Sequence, residues 1–292
     1  MIRRFIPTLY QAGQRFFLLT LMVALLPLSA QATDIFKIGI MQAQKGAAAK
    51  LRPLETYLNT HGVQVRFIPT ASYTEAAEKF AAGEMDGMFS GSGVAGTMII
   101  KKVAYPVLRP VDKAGISTYW AVVIAPKGAP PFDGTADYFK GKKVAFCALA
   151  SSGEFFFRQV PGASKAAAET LIASSHQAAI DMVRDGKADV AIVKNRVWDG
   201  LTGKYPSLTQ VGSDSGQNPN NALIISKKTD PEFVKSLVRI LLPLEKDTRA
   251  GGMALKNEMG LSGYAITSVA DFNHTLKLLG RAGVTPDFDF HF

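Results

Sequence analysis

Ser151, Ser152 and Gly153 stand where an apolar run, Val144 to Leu149, gives way to Phe155-Phe156-Phe157. The run behind Gly141-Lys142-Lys143 reads as a buried strand, and two hydroxyls with a glycine then open a helix. Helix starts carry unpaired N–H groups and the positive end of the macrodipole, so a small Ser-Ser-Gly lip leaves room for an anion to reach the amides. The same serines equally suit an ordinary helix cap. Comparable small polar sets occur at Ser90-Gly91-Ser92-Gly93 and at Lys194-Asn195, each at the C-terminal edge of an expected strand, where open α/β sheets place their ligands. Lys194 beside such an edge favours an anion, although a lysine on a loop is as readily a solvated charge. His176 follows Ser174-Ser175 at another expected helix start, and Tyr73 lies in Ser72-Tyr73-Thr74-Glu75 at a further one. Taken alone, His176 reads as an interior or capping histidine and Tyr73 as a packed aromatic.

These edges need strands alternating with helices. Strands are expected at Ile35 to Ile40, Val63 to Ile68 and Asp86 to Phe89, and, after Val103 to Val111, as one long run from Thr118 to Ala125. Helices are expected after Gly46, from Ser72 or Thr74 to Gly83, after Ser90-Gly91-Ser92-Gly93 to Lys102, at Phe155 to Phe157, around Ala166 to Ala173, and from His176 to Asp185. Asp189 to Val193 and Asn221 to Ser226 read as strands, with Val211 in a further candidate strand, and Pro231 to Asp247 and later segments up to Gly280 read as amphipathic helices. The alternation points to parallel α/β architecture in two lobes. Two segments, Glu75 to Gly87 and Gln177 to Asp189, echo each other: a helix closed by glycine, then a strand opened by aspartate.

Ahead of this lie Arg3, Arg4 and Arg15, the apolar run Phe16 to Leu28, and Ala30-Gln31-Ala32. That order describes a cleavable export signal over 1–32, too short in its apolar part to span a membrane. No cysteine follows it to carry a lipid, so a freely diffusing periplasmic protein is expected. Its removal would leave 30 basic residues of the 33 against 24 acidic ones, a net charge of +6. This surplus suits an anionic small molecule, and no stripe of Lys and Arg interleaved with aromatics suggests nucleic acid. Cys147 is the single cysteine, which rules out an intrachain disulfide and a thiolate cluster. It reads as a small buried hydrophobe. Trp120 and Trp198 read as packing residues, with Trp198 the better candidate for a cleft.

The order of Ser72-Tyr73-Thr74, Met88-Phe89-Ser90-Gly91-Ser92, Tyr119-Trp120-Ala121-Val122-Val123, Ala150-Ser151-Ser152-Gly153, Ser175-His176-Gln177 and Ala188 to Val193 resembles the phosphonate-binding, type 2 periplasmic components of ABC uptake systems. The resemblance covers nearly the whole chain after the signal. It implies a two-lobe α/β fold with a two-strand hinge and a ligand cleft between the lobes. It further implies that Tyr73 contacts an oxyanion, that Ser151 and Ser152 match part of a Ser-Thr-Ser-Gly loop, and that His176 stands at a second helix start in the site. Ala150 replaces the usual first loop serine, and Phe89-Ser90-Gly91-Ser92-Gly93 replaces an aromatic-Gly-Pro loop.

The expected organisation is lobe 1 over 33–118, lobe 2 over 119–222, and a return to lobe 1 over 223–292. The expected function is capture of a small phosphonate- or phosphate-like oxyanion for delivery to an ABC permease, by a monomer, with no cofactor and no metal. A sensory input to a membrane receptor is the alternative. An enzyme using Cys147 and His176 is disfavoured, because nucleophilic catalysis requires an accessible, base-activated thiolate.

Overall fold

In the computed structural model the chain runs as β1 (Phe36–Ile40), α1 (Arg52–Thr60), β2 (Val65–Pro69), α2 (Tyr73–Ala82), β3 (Gly87–Ser90), α3 (Ser92–Ile100) and β4 (Ala104–Asp112). It crosses through β5 (Thr118–Tyr119) into β6 (Ala121–Pro126), β7 (Lys143–Cys147), α4 (Ser152–Arg158), α5 (Ala163–Ala166), β8 (Glu169–Ala173), α6 (His176–Arg184), β9 (Val190–Lys194), α7 (Asn195–Asp199) and β10 (Leu208–Ser213). It returns through β11 (Asn218–Pro219) to β12 (Ala222–Ser226), α8 (Pro231–Leu241), α9 (Ala250–Met259), β13 (Leu261–Ile266) and α10 (Asn273–Arg281). The structure describes residues 35–40, 46–71, 73–147 and 151–290. The expected export signal, Ser72 and Ala150 lie outside them.

A six-stranded sheet, ordered β13-β4-β12-β3-β1-β2, forms the first lobe, and a five-stranded sheet, β10-β6-β9-β7-β8, the second. β5 and β11 pair antiparallel where the chain passes between them. The strands are short apolar runs because helices cover both faces: Val122, Val123 and Ile124 of β6 are fully buried. Each such side chain contributes about 1.5–3 kcal/mol over its exposed state.

The echo between the lobes is a shared joint. Asp86 Oδ2 accepts from the Lys37 N–H at 2.9 Å, and Asp189 Oδ2 accepts from the Lys143 N–H at 2.8 Å. Each aspartate thus ties the entry of β3 or β9 to the start of its parallel neighbour. Gly83 and Gly186, just upstream, adopt φ +84° and +68° to end the preceding helix.

The sheets are mixed and not parallel throughout: β12 runs antiparallel to β3 and β4, and β6 antiparallel to β9. The expected run from Thr118 to Ala125 breaks at Trp120, whose N–H donates to Asn195 Oδ1 and whose carbonyl accepts from the Asn195 N–H, both at 3.0 Å. The expected helix around Ala166 to Ala173 is largely strand β8, which pairs parallel with β7. Its Ala, Glu and Leu favour helix, but the unpaired edge of β7 wins. Leu261–Ile266 is likewise strand β13, laid antiparallel on β4. Gly260 at φ +65° ends α9 ahead of it, and Gly263 permits close approach, since a Cβ there would stand 3.0 Å from the Glu245 backbone. Ala222, expected at the end of lobe 2, pairs with Ser90 in the first lobe's sheet.

Helix α10 touches both lobes. Gly96 of α3 lets Leu279 pack closely, with the Leu279 side chain 2.6 Å from where a Cβ would stand. Phe155 of α4 forms an apolar cluster with Leu278, Leu279 and Val284. The expected two-strand hinge therefore has a third link beside it. Among the described residues, no helix is long and apolar enough to cross a membrane.

Candidate anion site

Between the C-terminal edges of the two sheets lies a cavity of about 320 Å³. The first lobe contributes Tyr73, at the first position of α2, and Ser90, Gly91 and Ser92 from the β3–α3 junction. The second contributes Ser151 and Ser152 before and within α4, His176 at the start of α6, and Lys194 at the end of β9. Gly153, expected among these, does not line it. A Cβ at Gly153 would stand 2.0 Å from the Ile192 carbonyl oxygen and 3.1 Å from Phe146 Cβ. The glycine is there so that α4 can lie directly on β7 and β9.

Both readings of the serines apply at once. Ser151 Oγ accepts from the Glu154 N–H at 3.2 Å, so it does cap α4. A hydroxyl that accepts this bond still has its own O–H to donate. α4 has only 7 residues, so what it offers here is hydroxyls and not a long macrodipole. Helix α3, with 9 residues, begins on Gly91 and has no side-chain cap, and its first residues line the cavity.

Buried polar atoms set the character of the site. Ser90 Oγ, Ser152 Oγ and His176 Nδ1 are all buried without a hydrogen-bond partner. Such groups usually cost 1–3 kcal/mol each, so three around one cavity mark a place built to be filled. Ser92 Oγ and Tyr119 OH are 2.5 Å apart. Burial pushes the Tyr119 phenol up to about 12, so it stays a neutral donor.

Burial, helped by the positive charge of Lys194, pushes His176 down to about 3, leaving the ring neutral at physiological pH. Burial likewise pushes Lys194 down to about 8, with the Cys147 thiol opposing and Arg196 assisting. The Lys194 ammonium lies 4.3 Å from the centre of the Tyr119 ring and 3.3 Å from Asn220 Oδ1. The site thus offers neutral O–H and N–H donors around one ammonium, which is a recognition chemistry for oxyanions.

An ion pair at the rim joins the lobes. Arg196 Nη2 meets Asp112 Oδ2 at 2.5 Å, and Arg196 Nη1 donates to the Ile116 carbonyl at 3.3 Å. Sequence reasoning missed Tyr119, Asp112, Arg196, Asn220 and Asn221 as lining residues. One signal was present: Asn221 in Asn220-Asn221 adopts φ +48°, a left-handed position that asparagine tolerates best among non-glycine residues. Trp198 is core and not cleft, 5 % exposed among Tyr205, Leu208 and the β9 side chains. Cys147 is 2 % exposed and does not line the cavity. Among the described residues, no group of three His, Cys, Asp or Glu could hold a metal ion.

A family profile described as the periplasmic substrate-binding protein of phosphonate ABC transporters matches residues 38–272. The chain belongs to this family. Solved structures share the fold of this phosphonate-binding family member. XAC2383 from Xanthomonas citri, known bound to chloride and bound to ATP, superposes with TM-score 0.71 at 15% identity, covering 85% of this chain and 97% of its own. PhnD1 from Prochlorococcus marinus, in complex with methylphosphonate, gives 0.68 at 15% identity over 85% and 98%. PA3383 from Pseudomonas aeruginosa, a binding protein component of an ABC phosphonate transporter, gives 0.66 at 17% identity over 85% and 87%. No curated protein sequence matches the chain.

Proposed function

We propose that this protein captures a small phosphonate- or phosphate-like oxyanion between its lobes, in the periplasm after removal of residues 1–32, and delivers it as a monomer to a membrane ABC permease. The observation that carries this reading is the convergence of Ser90 Oγ from one lobe with Ser152 Oγ and His176 Nδ1 from the other, all buried and unpartnered, around the cavity that Lys194 enters. Tyr73, Gly91, Ser92 and Ser151 complete the donor set. Donors from two lobes on one anion give the closed form contacts that an open form lacks, so ligand favours closure. We read the protein as a binding protein and not an enzyme, because Cys147 is buried within β7 and does not line the cavity.

A thermal-shift screen of phosphate, phosphite, alkylphosphonates, sulfate, sulfonates and small carboxylates tests this. At a hundredfold excess over Kd, a true ligand stabilises the folded state by about 2.7 kcal/mol, which is roughly 5–10 °C in Tm. A flat screen across all these anions would refute oxyanion capture.

Ser90→Ala separates the role in binding from a role in folding. Its hydroxyl has no partner in the protein, so the unliganded variant should melt at or above the parent temperature. Affinity for the anion should fall roughly tenfold to hundredfold, the loss of a hydrogen bond to a charged group. Calorimetry showing unchanged affinity in both Ser90→Ala and Ser152→Ala would move the site elsewhere.

A further inference from the structure

The cavity is larger than the anion proposed for it. At about 30 Å³ per water-sized atom, the five heavy atoms of a tetrahedral oxyanion fill at most roughly 150 Å³, against about 320 Å³ present. The lining residues come from strands well apart in the first lobe's sheet. The cavity's hydroxyl end lies at the β3–α3 junction, while Pro110 of β4 and Leu261 and Tyr264 of β13 line it further along. In the sheet order, β12 and β4 separate β3 from β13, and three strand spacings amount to about 14 Å. Apolar side chains make up much of the remaining lining: Leu51, Ile116 and Met259 line the cavity with Pro110, Leu261 and the ring of Tyr264, beside the Asp112–Arg196 pair.

The charge inventory of that region argues against a cationic substituent. Asp112 is the one carboxylate among the described lining residues, and both its oxygens are engaged. Oδ1 accepts from the N–H groups of Ala114 at 2.9 Å and Ile116 at 2.8 Å, and Oδ2 holds Arg196. The Asn220 carbonyl oxygen and the face of Tyr119 are both taken by Lys194. An incoming ammonium would meet two cations and no open acceptor among these groups.

We propose that the natural ligand is an organic oxyanion bearing an uncharged, apolar substituent, which lies against Pro110, Met259, Leu261 and Tyr264. The same surface selects against aminoalkyl phosphonates. This inference rests on the oxyanion reading given above, with the charged group at the hydroxyl end.

Calorimetric titration of the exported protein with methylphosphonate, propylphosphonate and 2-aminoethylphosphonate tests it. Each buried methylene is worth about fourfold in affinity, so propylphosphonate, with two more, should bind roughly fifteenfold tighter than methylphosphonate. The aminoethyl compound, nearly isosteric with propyl, should bind at least tenfold weaker than propylphosphonate. Met259→Ala should shrink the ratio of propyl to methyl affinity. Methylphosphonate binding as tightly as propylphosphonate, or aminoethyl binding tighter than propyl, would overturn the inference and leave oxyanion capture standing. Failure of all three while phosphate or sulfate binds would overturn the inference alone, and no binding by any of these anions would overturn both.

Discussion

A Gly153→Ala protein should lose about 3 kcal/mol of stability, the upper end for overpacking a filled interior. The added Cβ would stand 2.0 Å from the Ile192 carbonyl oxygen, a backbone atom held in β9, with Phe146 Cβ at 3.1 Å on another side. Neither neighbour is the far end of a flexible chain, so relief requires α4 to lift off the sheet. At this chain length the loss corresponds to roughly 6–12 °C in Tm. Because α4 carries Ser152 and is capped by Ser151, the displacement should also weaken anion binding. A denaturant midpoint equal to the parent's would show that α4 does not rest on β9 as described.

Lys194→Met should act in the opposite sense on folding and strongly on binding. The ammonium is pushed down to about 8 by burial, so its charged form is less favourable in the folded protein than in the unfolded chain. Below about pH 8 that cost is fully present. Between about 8 and the ordinary 10.5 the unfolded chain holds more protons, so the free energy of unfolding rises with pH across that window. Melts of the unliganded parent should show this rise, and Lys194→Met should lack it while melting at or above the parent temperature near pH 7. Its affinity for the anion should drop by roughly tenfold to several hundredfold, the removal of a charge-assisted contact. A bound anion raises the ammonium pKa, so parent affinity should also decline above about pH 8 once the ligand's own titration is subtracted. Unchanged affinity in Lys194→Met would remove Lys194 from the site.

What the sequence disclosed follows the reach of local chemistry. Ser90-Gly91-Ser92, Ser151-Ser152 and Ser175-His176 are strand-to-helix junctions whose residues cap or open a helix. Their placement at the sheet edges follows from alternation alone, and the structure brings them to one cavity. The Asp86 and Asp189 joints were legible as a repeated glycine-then-aspartate pattern. Residues contributed by the crossings were not legible. Asp112 and Arg196 are 84 positions apart and meet only because the second lobe folds back on the end of β4. Tyr119 read as one residue of a long strand, because nothing local shows that Asn195 breaks that strand at Trp120. Lys194 read either as an anion contact or as a loop charge; β9 extends through it and its ammonium lies over the Tyr119 ring. The strand β8 was hidden by helix-favouring Ala, Glu and Leu, and β13 lies within the stretch read as C-terminal helices; only an unpaired neighbouring edge decides such segments.

The most direct measurement is a crystal structure of the protein in complex with methylphosphonate. The account predicts the phosphonate oxygens within hydrogen-bond distance of the Ser90 or Ser92 hydroxyl from one lobe and of the Ser151 or Ser152 hydroxyl from the other, beside Lys194 and His176. A phosphonate bound outside the cavity, or held by one lobe alone, would contradict it.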